Sequence, residues 1–179
     1  MKENNAGIAV LIAQAENTLR ILQENRDFYH HFKEKEFAAL GKTTVSAMVL
    51  SQLFVDFYTC LETFFFRVSQ EFENKLRKDQ WHKELLQKMA LKIPGIRDQV
   101  ISETTKNHLS EILLFRHFRR YYFNFDYDWE KLDLIESKYR QVYSTLTSEI
   151  EDLSLQPYFQ PFFPYKLQKW RHIVVCKLF

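Results

Sequence analysis

Residues 50–72 read LSQLFVDFYTCLETFFFRVSQEF. Leu50, Phe54, Phe57, Leu61, Phe64, Val68 and Phe72 recur in steps of four and three, which places them on one face of an α-helix. Tyr58 and Cys60 flank that row. A stripe of side chains this large is read as core, and the segment predicts a helix from Thr43 or Thr44 to about Lys75. Asp56, Glu62 and Arg67 interrupt its apolar surface. No run of about eighteen uncharged apolar residues exists, so no membrane-spanning helix is expected.

The rest of the chain repeats the helical period on either side. Ile8, Ile12, Ala15, Leu19 and Leu22 mark a first helix from about Asn4 to Glu36, with an interruption expected near Asn25; Gly41 then punctuates. Trp81, Leu85 and Met89 mark a third helix that ends at Ile93-Pro94, because proline lacks the backbone donor and disfavours helix at the residue before it. A fourth begins near Ser102 to Thr105, all suitable caps. A fifth follows a turn in which Asp126 or Asp128 caps it; its stripe is Leu132, Ile135, Tyr139, Val142, Leu146, Ile150 and Leu153. With 3 Gly and 4 Pro, and no proline before residue 94, the composition suits long helices. The expected fold is all-α: an antiparallel bundle of four to five helices over residues 1–155, with a Pro- and aromatic-rich extension over 156–179.

That extension carries Lys166, Lys169, Arg171 and Lys177 and no acid, so the formal +2 of the chain divides into +4 for the tail and −2 for the rest. A local basic segment suits a small anionic site better than a long nucleic-acid track. The tail reads foremost as a strap docked on the bundle, with an interfacial segment or an irregular end as the alternatives. Cys60 and Cys176 make no disulfide framework, so a reducing cytoplasmic compartment is expected. The apolar patch Ala6 to Ala13 runs on into Glu16 and Arg20 at helical spacing without a cleavage site, and is not read as a signal peptide. His30, His31 and Cys60 lack metal-ligand spacing. No HExxH, CxxC or Gly-rich phosphate loop is present, and no metal or cofactor is expected.

The fourth helix ends in Phe115-Arg116-His117-Phe118-Arg119-Arg120-Tyr121-Tyr122-Phe123. Leu109, Leu113, Arg116 and Arg120 fall on one stripe, and Ser110, Leu114, His117 and Tyr121 on the next. Charged groups on a stripe that began apolar must be paired or open onto a cleft that admits an anion. Arginine supplies a forked donor for phosphate, and histidine can move a proton near neutral pH. Two readings of each residue stay open. Arg116 and Arg120 are phosphate ligands, or they pair with an acid such as Asp126, Asp128 or Glu62. His117 transfers protons, or it is a hydrogen-bonded histidine that holds the helix end. Glu62 is a candidate to orient a guanidinium. Arg119 lies off the stripe, and His82 reads as a packing or capping residue beside Trp81.

Three phrases in order resemble the HepT-like branch of the HEPN superfamily: Phe57-Tyr58-x-x-Leu61-Glu62-x-x-Phe65-Phe66, the run from Trp81 through Ile93-Pro94-Gly95-Ile96-Arg97 to Thr105, and the cluster at 115–130. The resemblance covers about residues 5–153. It implies a helical bundle that forms a homodimer and cleaves RNA without metal, as the toxin of a toxin–antitoxin pair whose antitoxin is a small nucleotidyltransferase. The family motif is an Arg followed four to six residues later by a His. Carried over by position, Arg116 is the motif Arg, and the motif His falls on Tyr121. The tyrosine that a partner nucleotidyltransferase adenylylates in some HepT proteins falls on Phe123, leaving Tyr121 and Tyr122 as substitute modification sites.

The resemblance implies Arg116 and the Tyr121 position as catalytic; with His117, on the adjacent face, in the proton-transfer role, the expected catalytic residues are Arg116, His117 and Tyr121, with Arg116, Arg119 and Arg120 on the RNA phosphate. Tyrosine, with a reference pKa near ~10, is a weak base at neutral pH. That departure supports an alternative: a catalytically inactive bundle that binds RNA or a nucleotidyltransferase-type partner. A third reading is an interfacial protein that uses the aromatic, basic tail.

Overall fold

The computed structural model describes residues 2–72, 81–121 and 127–155. They form six helices: α1 (Lys2–Glu34), α2 (Glu36–Leu40), α3 (Thr44–Phe72), α4 (Trp81–Met89), α5 (Glu103–Tyr121) and α6 (Trp129–Leu155). The fold is an all-α bundle. The expected adenylylation-related positions Tyr122 and Phe123, the cap candidate Asp126 and the whole 156–179 extension lie outside the described residues.

The bundle is organised around α3, which packs against α1, α4, α5 and α6. Most of its predicted stripe is core: Leu50, Phe54, Phe57, Leu61, Phe64 and Val68 are buried, while Phe72 at the end of the helix is only partly buried. α3 is, among the described residues, the one helix long and apolar enough to cross a membrane by length and composition. Here its core-facing stripe is taken up by the neighbouring helices, while Val45 and Met48 stay exposed. α6 supplies Leu132, Ile135, Tyr139, Val142, Leu146, Ile150 and Leu153, every position of its predicted stripe. The Tyr139 ring lies 5.2 Å from Phe54 and 4.9 Å, edge-on, from Phe57, a spacing at which aromatic pairs attract beyond their buried area.

α1 runs antiparallel to both α3 and α6, and a line of polar contacts fixes its register. The Asn25 side chain donates to the Leu53 carbonyl (3.1 Å) and accepts from the Tyr139 hydroxyl (3.0 Å). The Tyr29 hydroxyl donates to Glu136 (2.6 Å), which also accepts from Lys33. Asn25 is thus satisfied by neighbouring helices, and α1 continues through it without the expected interruption. The break comes instead at Lys35, before α2. It lets Phe37 pack against Phe32 and Trp129, at ring separations of 6.3 and 6.0 Å. Gly41 then turns the chain at φ +66°, a left-handed conformation that glycine tolerates best.

Two caps position α5 and α6. The Ser102 hydroxyl accepts from the Thr105 N–H at 3.2 Å, while Glu149 of α6 accepts from the Ser102 N–H and the Thr105 hydroxyl. Of the two cap candidates for α6, Asp128 accepts from the N–H groups of Glu130 (3.0 Å) and Lys131 (3.2 Å). The Lys131 N–H foremost holds its carboxyl below the usual range.

The α4–α5 connection closes around a buried arginine. Arg97, only 2% exposed, donates to the carbonyls of Lys88 (2.9 Å), Leu91 (3.0 Å) and Asp98 (3.1 Å). The Ile93 and Arg97 backbones exchange hydrogen bonds around Gly95, at φ +76°. A guanidinium at the carbonyl end of a helix satisfies acceptors left over by the last turn and lies at the negative pole of the helix dipole. It thereby fixes where α4 ends against α5.

Two outcomes follow. Arg97→Ala leaves buried carbonyls without a donor and lowers unfolding stability by about 3 kcal/mol; a denaturation midpoint within error of wild type would contradict this. Burial, foremost, pushes the phenols of Tyr29, Tyr58 and Tyr139 up, and Tyr143 to about 12. A raised folded-state pKa gives stability that is complete below the unfolded value, ~10, and is lost as pH rises toward the folded one. The melting temperature therefore falls progressively above pH ~10, and phenolate absorbance of these four appears with unfolding, not before it.

Candidate functional site

The first turns of α5 bury Leu109, Ile112 and Leu113 against the core. One turn on, the same stripe presents Arg116, and the polar side chain meets a carboxylate planted in the aromatic row of α3. Glu62 is 5% exposed, between Leu61, Tyr58 and Phe65, all buried. Arg116 Nη2 lies 2.8 Å from Glu62 Oε2, and Nη1 donates to Oε1 at 3.1 Å. This is the two-pronged geometry in which guanidinium and carboxylate fit best. The guanidinium carbon also sits 5.8 Å from the centre of the Tyr58 ring, within cation–π range.

A third side chain completes the cluster. His82, in the first turn of α4, places Nδ1 2.5 Å from Glu62 Oε1. An ionised carboxylate only accepts, so the hydrogen of this contact belongs to Nδ1, and in the neutral ring Nε2 carries the lone pair. The His82 and His117 rings pack edge to face, with centres 5.3 Å apart. Three helices thus bring Glu62, His82, Arg116 and His117 together at one end of the α3–α4–α5 junction.

The electrostatics follow from burial. A lone carboxylate among phenylalanines would cost several kcal/mol, and Arg116 and His82 between them meet both of its oxygens. Glu62 and Arg116 cancel in formal charge, so the charge of the cluster is set by the two imidazoles. The contacts to Glu62 use two of the five N–H groups of Arg116. The Arg116 side chain is 15% exposed, so it is not sealed from solvent. Tyr58 is held as a neutral phenol: burial raises its pKa first, the Glu62 charge raises it further, and Arg116 opposes this.

The sequence-derived residues are not all gathered here. Arg116, His117 and Glu62 are. Arg119 instead lays its guanidinium 4.7 Å from the centre of the Tyr127 ring, beside the start of α6. The side chains of Arg120 and Tyr121, like Tyr122, lie outside the described residues. Of the acids that stood as partners for Arg116, Glu62 is the one in contact. Asp128 is engaged in capping α6, and Asp126 lies outside the described residues.

His82 is the residue that the sequence reading passed over as packing or capping. Its spacing carried a signal: 82, 85, 86 and 89 share one face, and Leu85, Leu86 and Met89 are buried. A histidine on the buried face of a short helix must find a polar partner.

Leu114 and Phe118, one turn apart on the outer side of α5, are 62% and 48% exposed. They flank Arg116 and His117 along the same two turns.

A family model described as HepT-like protein matches residues 49–156. The match runs from within α3 through α6 and takes in Glu62, His82, Arg116 and His117. No curated protein and no solved structure matches the chain. The family match, over more than half of the chain, agrees with the all-α bundle and with the ordered phrases read from the sequence: the chain belongs to the HepT-like family of the HEPN superfamily.

Proposed function

We propose that this protein is a metal-independent endoribonuclease, the toxin of a cytoplasmic toxin–antitoxin pair, acting as a homodimer and held in check by a nucleotidyltransferase-type antitoxin. The observation that carries this reading is the Arg116–His117 pair beside Glu62 and His82. It puts a rigidly held guanidinium next to imidazole in a solvent-reachable corner. Arg116 binds the scissile phosphate with the N–H groups that Glu62 does not use. Glu62 keeps the guanidinium in place, and His117 moves a proton while the ribose 2′-hydroxyl attacks. Products end in a 2′,3′-cyclic phosphate. The exposed Leu114 and Phe118 give α5 an apolar strip on which a second copy can close, bringing two such corners to one cleft.

Tyr121, standing where the family motif has histidine, favours a second reading: an inactive bundle that binds RNA or its partner protein. One assay separates the two. Labelled RNA is incubated with the protein in excess EDTA, alongside Arg116→Ala and His117→Ala. The ribonuclease reading expects cleavage by wild type and a loss of about 10²-fold or more in each variant. Binding without cleavage, abolished by Arg116→Ala alone, identifies the binding module instead.

A further inference from the structure

We propose that His82 of α4 is a catalytic residue of this site: the base that takes the proton from the attacking ribose 2′-hydroxyl, with His117 as the acid for the leaving oxygen. This deepens the ribonuclease reading above and rests on it. Three observations lead there. First, the position that the family motif gives to histidine holds Tyr121, so an α5-based imidazole pair is not available from that motif. Second, α4 delivers a second imidazole to the same corner, with ring centres 5.3 Å apart for His82 and His117. Third, the Glu62 carboxylate on Nδ1 fixes the ring's orientation and its tautomer, which makes Nε2 the proton-accepting nitrogen. A carboxylate that orients an imidazole base and faces the cation it becomes is a recurring arrangement for general bases.

Among the described residues, the following charged and titratable groups lie at this corner. Glu62 from α3 and His117 from α5 contact His82, Arg116 and Tyr58 lie on the far side of Glu62, and the Glu84–Lys88 pair lies along α4 itself. Tyr58 stays a neutral phenol, held so by burial first. The step balances without a co-reactant. As O2′ bonds to phosphorus, its proton passes to His82 Nε2. The P–O5′ bond breaks, and the departing oxygen takes a proton from protonated His117. The products are a 2′,3′-cyclic phosphate and a 5′-hydroxyl. Arg116 holds the phosphate oxygens throughout, and Glu62 acts as a positioning residue for both Arg116 and His82.

His82→Asn tests this in the full-length protein, because the asparagine amide can still donate to Glu62 from nearly the place of Nδ1 but cannot accept a proton. Melting temperature, RNA affinity and cleavage rate are measured together, with a pH–rate profile. The expected result is an unchanged melting temperature, RNA affinity within about twofold, and cleavage slowed by about 10²-fold or more. The acidic limb of the profile should disappear in His82→Asn, and the basic limb in His117→Gln. Added imidazole should restore part of the rate to His82→Ala. Cleavage by His82→Asn within about threefold of wild type, or a loss of cleavage that only follows a loss of RNA affinity, overturns the assignment. A wild-type protein that cleaves no RNA overturns the ribonuclease reading, and this assignment with it; an active wild type with an equally active His82→Asn overturns this assignment alone.

Discussion

A carboxylate buried in a row of aromatic side chains is the constraint on which this structure turns. Glu62 occupies a position on α3 where its neighbours are Tyr58, Leu61 and Phe65, and water reaches it little. An ionised group there is tolerated only if other polar groups come to it. Two do, from two helices: Arg116 from α5 and His82 from α4. The same requirement sets the register of both helices on α3. Arg97 reinforces it from the other side, holding the last carbonyls of α4 so that the short helix cannot slide. Folding and the candidate chemistry are thereby tied to one atom group.

How much of this was legible depended on period and on length. The stripes of α3 and α6 were readable almost position by position, because large apolar residues at steps of three and four leave one geometric solution; Phe72, at the end of α3, is the position only partly buried. The cap at Asp128 was one of two candidates and followed from local chemistry. Arg116 stood out because it continues an apolar stripe, and Glu62 because it interrupts one. Contacts between elements were not legible in the same way. Asn25 looked like a break in α1, since the acceptor and donor that satisfy it belong to residues 28 and 114 positions away. Arg97 looked like part of a loop word, and its role at the end of α4 depends on how the chain folds back around Gly95. His82 was hidden by its neighbours: beside Trp81 it reads as packing, and only the buried Leu85, Leu86 and Met89 on its own face show that it turns inward.

The arrangement also bears on what a degenerate motif can still do. A site is a set of side chains in space, and the helix from which each one comes is secondary. With tyrosine at 121, α5 brings Arg116 and His117, while α3 and α4 bring the carboxylate and a second imidazole. Glu62 and Arg116 neutralise each other in formal charge, which leaves the two imidazoles as the other ionisable groups of the described cluster. In the proposed function, anion binding and proton transfer share the same few atoms. Arg119, by contrast, leans on Tyr127 at the start of α6, and its part in any RNA contact is separate from this corner.

The most direct test of the central claim is the tautomer of the neutral His82 ring, read by long-range ¹H–¹⁵N NMR. A Glu62 carboxylate that organises the corner requires the proton on Nδ1 and a lone pair on Nε2, the reverse of the form that free histidine prefers. Observation of that Nδ1–H form, lost in Glu62→Leu, is the result predicted. A His82 ring with its proton on Nε2 and no response to the Glu62 substitution would contradict the account at its root.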